Sequence, residues 1–284
     1  MNRLLKSKLI NHLIFLVRLH GRKSKIFIQS LQGLVLERAL SKHLAIIESN
    51  REKPFFVKVG ANDGITGDPC GNRLLRMENW QGHLIEPIPY VYANLLKVYG
   101  DQRRFKCHQV AISASNGTAP IYFLSPKAKE NIPTLPHYWD QLASFNAGHI
   151  EKHFGTITSP YVTTLKVPTL RLGDFIVKNK IVRLDFLHID TEGHDLVVLE
   201  SMDFSICKPS VLLIEVKHLT RKGYSRVRNI LSDAGYKCLF TSGSDLLASK
   251  ERVGGITILW YAWFLILGIK IYEKLLRKSL AKRK

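Results

Sequence analysis

Cysteine, long apolar runs and acid at the chain ends are what this 284-residue sequence has least of. Its four cysteines, Cys70, Cys107, Cys207 and Cys238, form no C-x-x-C pair and no close cluster that reads as a zinc site. Reduced thiols in a cytoplasm fit that spacing. No secretory signal is expected, because the apolar run Leu13 to Val17 is short, ends at Arg18 and has no small-residue cleavage site. The most apolar uncharged stretch, "VGGITILWYAWFLILGI" at 253–269, has 17 residues, short of the roughly 20 that span a bilayer. There is no internal repeat, and the G-x-G-x-x-G fingerprint of dinucleotide-binding folds is missing, which disfavours a nicotinamide oxidoreductase.

Positive charge is abundant: Lys and Arg number 42 against 23 acids, a net charge of +19. Its location matters more than its size. Residues 1–25 hold seven cations and no acid, and residues 270–284 hold seven cations beside Glu273, so the two ends supply 13 of the 19 charges. Basic tails beside apolar segments suit an anionic membrane surface on the cytoplasmic face, and no nucleic-acid partner is expected.

Between the ends, apolar runs at Phe55–Val59, His83–Ile85, Lys106–Ile112, Leu184–Ile189 and Val211–Val216 are each followed by turn residues and a helical pattern. Strands alternating with helices predict a mostly parallel α/β sheet. "GYKCLFTSGSDLLASK" predicts an antiparallel hairpin around Ser242-Gly243-Ser244 that closes it. The expected division is a basic helical extension over 1–50, one domain over 51–252 and an apolar, then basic, tail over 253–284. Within the domain the periodicity fails over 114–165, which reads as a lid or insertion carrying the aromatics Tyr138, Trp139 and Phe145.

Three strand ends carry the chemistry. "VGANDG" places Gly60 and Gly64 where the first strand stops, and glycines there let backbone approach a ligand. "HLIEPIP" ends the second strand on Glu86, where a carboxylate can accept both hydroxyls of a ribose. "FLHIDTEGHDLVVLES" ends a strand in Asp190, Thr191, Glu192, Gly193, His194 and Asp195 before an apolar helix. Helix capping accounts for Thr191 and Asp195. It accounts less well for Asp190 and His194, since polar groups at a sheet mouth are costly to desolvate without a ligand.

Together "FVKVGANDGITGDP", "LIEPIPYVYANL", "VAIS", "VPTLRLGDFI" and "LHIDTEGHDLVVLE" resemble the FkbM family of S-adenosylmethionine-dependent methyltransferases over about residues 55–250. The resemblance implies a class I methyltransferase fold, Rossmann-like, with S-adenosyl-L-methionine as cofactor and methylation of hydroxyl oxygens. It implies that Gly60, Asn62, Asp63 and Gly64 cradle the amino-acid part of the cofactor, that Glu86 holds its ribose, and that Ala111 and Ile112 line the adenine pocket. Lys58 departs from the family pattern: an acid usually stands there, which leaves the contact to the cofactor's amino group to Asp63 or Asp190.

Methyl transfer to an alcohol needs the hydroxyl in line with the methyl group and a base for its proton. His194, Asp190 and Glu192 are the candidates, because all three lie at one strand end. The expected acceptor is a small molecule or a glycan or glycolipid. A non-catalytic membrane-associated binding protein on a decayed nucleotide fold is the alternative; the joint presence of Gly60, Gly64, Glu86 and Asp190 argues against decay. His149 and His153 lie one helical turn apart, but the order is not H-E-x-x-H and no third ligand is apparent, so no metal is expected.

Overall fold

A computed structural model of the chain describes residues 21–66, 70–242 and 244–250. The apolar run at 253–269 and the basic tail, and with them the expectation of a membrane-inserted segment, lie outside the described residues. No helix among the described residues is long and apolar enough to cross a membrane.

Helix α1 spans Gly21–Asn50 and leads into β1 at Phe55–Val59, α2 at Gly71–Arg76, β2 at Gln81–Ile85, α3 at Pro89–Tyr99 and β3 at Phe105–His108. There follow β4 at Ala111–Ile112, β5 at Gly117–Leu124, α4 at Lys127–Asn131, α5 at His149–Phe154, a short 3-10 helix and β6 at Val162–Leu170. The chain then forms α6 at Leu172–Lys178, β7 at Phe186–Ile189, α7 at Asp195–Glu200, β8 at Val211–Glu215, α8 at Arg221–Asp233, β9 at Lys237–Thr241 and β10 at Asp245–Ser249.

The central sheet has seven strands in the order β3-β2-β1-β7-β8-β10-β9. β1 pairs in parallel with β2 on one side and β7 on the other, so the connections run outward in opposite directions from a switch point between β1 and β7. Chain leaving the carboxyl ends of these two strands splays apart and opens a crevice. β10 pairs antiparallel with both β8 and β9, the closing hairpin expected from the sequence.

Central strands of a parallel sheet are covered on both faces, and the pleat sends alternate side chains to opposite layers. Val57, Val59, Leu187, Ile189, Leu212 and Ile214 pack with α6, α7 and α8. Phe56, Phe186, Val211 and Leu213 pack with α1 and α3. The sequence suggests that residues 1–50 are an extension. Instead Leu36, Leu40 and Leu44 are almost fully buried in this second layer, and at about 1.5–3 kcal/mol per buried side chain they make the second half of α1 part of the core.

Two other expectations change. The run Lys106–Ile112 is not one strand: β3 joins the large sheet and β4 a second, three-stranded sheet, β4-β6-β5. Strands of that small sheet also stand at both ends of 114–165, where the pattern is lost in the sequence. Pro120 and Pro168 sit inside its strands, and β5 is largely exposed on its first half; prolines and an irregular exposure pattern hide a strand from periodicity.

Candidate active site

A cleft of about 330 Å³ opens over the carboxyl ends of β1, β2, β7 and β8. Lys58, Glu86, Asp190, Glu192, Glu215 and Lys217 form its charged side, and Ile85, Val91, Val110, Ala111, Ile112 and Ile121 its apolar side. Residues 140–145 of the expected lid make a further wall, joined to the β1 loop where Gln141 donates to the Thr66 carbonyl at 3.3 Å.

At the end of β1, Gly60 and Ala61 both donate to the Ile85 carbonyl, at 3.1 and 2.9 Å. Gly60 has φ +76°, and a Cβ there would meet the Asp190 carbonyl oxygen at 1.7 Å. Only glycine lets the β1 and β7 loops touch at this point. Asn62, at φ +50°, donates its main-chain N–H to Glu86 Oε2 at 3.0 Å. The other carboxylate oxygen of Glu86 accepts from the Ile88 N–H, also at 3.0 Å. Each oxygen keeps an acceptor site. Burial pushes the Glu86 carboxyl up to about 7, against the pull of those two amides and of Lys58.

Asp63 and Gly64 stand behind this wall rather than in it. The Asp63 carboxylate turns onto its own loop, accepting from Ile65 N at 2.9 Å, Thr66 N at 2.7 Å and Thr66 Oγ1 at 2.5 Å. Burial alone raises its pKa, but these bonds outweigh it and the carboxyl titrates below its ordinary value. Gly64 has φ +82°, and a Cβ there would lie 2.3 Å from the Tyr99 ring, whose hydroxyl donates to the Gly64 carbonyl at 3.1 Å. Its glycine is a packing requirement against α3.

The loop after β7 is held by Asp195. One carboxylate oxygen accepts from the Thr191 N–H at 2.8 Å and hydroxyl at 3.0 Å, the other from the Gly193 N–H at 3.1 Å. Thr191 is therefore tied by Asp195 and does not cap α7. Asp190, Thr191, Glu192 and His194 all face the cleft. Glu192 has φ +51°, a conformation that a long side chain adopts at some cost. Burial raises Asp190 to about 7; Lys58 opposes the rise, and Glu192 and Asp195 add to it. His194 Nε2 lies 3.0 Å from Ser113 Oγ, its ring 4.4 Å from that of Phe145, and burial lowers it to about 4.

Glu215 and Lys217, absent from the sequence-derived candidates, complete the charged side. Lys217 Nζ lies 2.5 Å from Glu215 Oε1 and 3.3 Å from Glu192 Oε2. Burial and the neighbouring Asp190, Glu192 and Asp195 raise the Glu215 carboxyl. One signal was available: Glu86 and Asp190 each follow an apolar strand directly, and Glu215 repeats that pattern in "VLLIEVKH". Of the lid aromatics, Phe145 faces the cleft. Trp139 stacks on Tyr90 at 6.2 Å, and Tyr138 is exposed. His149 and His153 on α5 meet His218, which follows β8.

The strand order, the antiparallel β10 and a cleft over the switch point define a Rossmann-like class I methyltransferase fold. Residues 58–238 match the family model of the methyltransferase FkbM domain. The chain belongs to that family. No curated protein matches the sequence. Among solved structures it is similar to methyltransferase FkbM from Methylobacillus flagellatus KT, with 16% identity and a TM-score of 0.42 over 70% of this chain and 44% of that one. It is also similar to a precorrin-6y C5,15-methyltransferase from Geobacter metallireducens GS-15, with 12% identity and a TM-score of 0.33 over 73% of this chain and 84% of that one. This chain thus spans less than half of the Methylobacillus protein.

Proposed function

We propose that the cleft binds S-adenosyl-L-methionine and that the protein methylates a hydroxyl oxygen. The cofactor brings a methyl group on a cationic sulfur. The residues fit such a group: carboxylates and the Asn62 turn on one side suit its ribose and charge, and the slot between Ala111, Ile112 and Val91 suits a flat adenine. The observation that carries the reading is Glu86, buried at the end of β2 with both oxygens anchored by main-chain amides. Held so, it can accept two adjacent hydroxyls without reorganising. Gly60 and Asp190 complete this end of the site, while Asp63 and Gly64 shape the loop behind it.

His194 is our candidate base for the acceptor hydroxyl. Its burial keeps it neutral at physiological pH, as a proton acceptor has to be. Ser113 fixes its ring, and Asp190 and Glu192 are the nearby carboxylates that can take over the role. Phe145 and its neighbours in 140–145 form the wall of the cleft beside this imidazole.

For the acceptor we propose a sugar, glycolipid or other small metabolite hydroxyl, met at the cytoplasmic face of a membrane to which the basic, apolar tail binds. Calorimetric titration with S-adenosylhomocysteine tests the cofactor reading; absence of binding sinks it. Labelled methyl transfer into lipid and glycan extracts tests the acceptor. Retention on membranes in high salt, with release only by detergent, tests the tail.

A further inference from the structure

At the lip of the cleft, three imidazoles from two distant segments converge. The rings of His149 and His153 on α5 are 4.7 Å apart, and His218, after β8, stands 5.3 Å from the first and 5.5 Å from the second. One nitrogen from each can be taken so that all three lie within 4.8 Å of one another. Ligands about 2.0–2.1 Å from a tetrahedral zinc ion stand roughly 3.4 Å apart, so side-chain adjustments of about an ångström complete the geometry. Glu192 lies 2.8 Å from His218 Nε2, placed either to orient that imidazole or to join a coordination sphere.

A second observation points to a ligand here. His149 Nε2 and Glu215 Oε2 are buried and have no hydrogen-bond partner. Glu215 is only 3% exposed, and it forms with Glu192 and His218 another set of ligand atoms within 4.8 Å. A buried polar atom left unsatisfied is destabilising, and a cation held by the three imidazoles gives His149 Nε2 a partner, with the Glu215 carboxylate nearby adding negative charge that favours it. A merely solvated histidine face on α5 needs neither the approach of His218 nor the orphaned atoms.

We propose that His149, His153 and His218 ligate one divalent transition-metal ion, with Glu192 as the carboxylate beside it. An imidazole-rich donor set selects zinc, cobalt or nickel over magnesium or calcium. The ion ties α5 to the chain after β8, and so holds the segment that carries Phe145 against the cleft. Nothing in this depends on the identity of the cofactor or the acceptor.

The test uses the untagged full-length protein, stripped with chelator and titrated with Co²⁺. The expected result is one tight equivalent with the visible absorption of a nitrogen- and oxygen-ligated ion and without a thiolate charge-transfer band. His153→Ala removes an exposed ligand and leaves the fold intact by circular dichroism; affinity should fall at least tenfold, on the order expected for losing one metal ligand. His218→Ala should do the same, whereas Lys152→Ala on the same helix should not. Amide exchange over 144–154 should slow when Zn²⁺ is added. Weak binding by the parent protein, unchanged affinity in both histidine variants, a thiolate signature, or exchange indifferent to Zn²⁺ each overturns the proposal.

Discussion

The main chain of Gly60 packs against Asp190 so closely that the two loops bounding the cleft share a van der Waals surface with no room for a methyl group. Gly60→Ala adds a Cβ at a positive φ and 1.7 Å from backbone oxygen, so the β1 and β7 loops must separate. A change of this kind falls in the destabilising tail of about 3 kcal/mol or more, which for a domain of this size lowers Tm by roughly 6–12 °C. Affinity for S-adenosylhomocysteine should fall with it. A thermal melt that matches the parent protein contradicts this packing.

Glu86 supports the neighbouring loops and faces the proposed ribose site at once. Glu86→Ala should weaken S-adenosylhomocysteine by about 1–3 kcal/mol through the lost acceptors. It should also cost some stability, because the amides of Asn62 and Ile88 lose their partners. Calorimetry and a melt on one preparation separate the two effects. Unchanged affinity in the folded variant removes Glu86 from the cofactor site.

The raised pKa of Glu86 makes two opposite pH trends. In the free protein the carboxyl is lifted by burial from 4.5 to about 7, so its protonated form favours the folded state. The corresponding stability is complete below the ordinary value and is lost as pH rises through about 7. Ribose hydroxyls donating to the carboxylate favour the ionised form instead. Binding should therefore release a proton, and affinity should rise by up to about tenfold per pH unit below the shifted pKa, then level off. Titrations in buffers of different ionisation enthalpy report the released proton, and Glu86→Gln should flatten the profile. A profile that stays the same in that variant assigns the titration elsewhere, with Asp190 next in line.

What was legible in the sequence is what local chain chemistry decides. The turn after β1, Glu86 after β2 and the polar run after β7 announce themselves because each strand ends abruptly in residues a core does not hold. The closing hairpin is marked by its serine-glycine turn. Glu215 carries the same local mark in "VLLIEVKH", but Lys217 and His218 join the site only because β8 lies beside β7, a neighbour relation that no local pattern states. The same holds for His218 meeting His149 and His153. Asp63 and Gly64 mislead in the other direction: their types suit a ligand cradle, yet Asp63 folds onto Thr66 and Gly64 yields to the Tyr99 ring, contacts set by tertiary packing.

His194 is where turnover and binding should separate. Its imidazole lines the cleft, with Nε2 held 3.0 Å from Ser113 Oγ and the ring against Phe145, but of the groups proposed to hold the cofactor only Asp190 shares its loop, while Gly60, Asn62, Glu86, Ala111 and Ile112 lie on or just after other strands. His194→Ala should therefore lower the rate of labelled methyl transfer into an acceptor extract by about 10²–10⁴-fold, the usual contribution of a positioned base. S-adenosylhomocysteine affinity should stay within about twofold, since the cofactor contacts remain. Ser113→Ala removes the partner and not the base, so its loss should be smaller and of the same kind, with the rate reduced and affinity retained. If His194→Ala keeps full turnover while Asp190→Asn or Glu192→Gln loses it, the proton goes to a carboxylate. If His194→Ala instead loses cofactor affinity along with rate, its role is to hold the loop after β7.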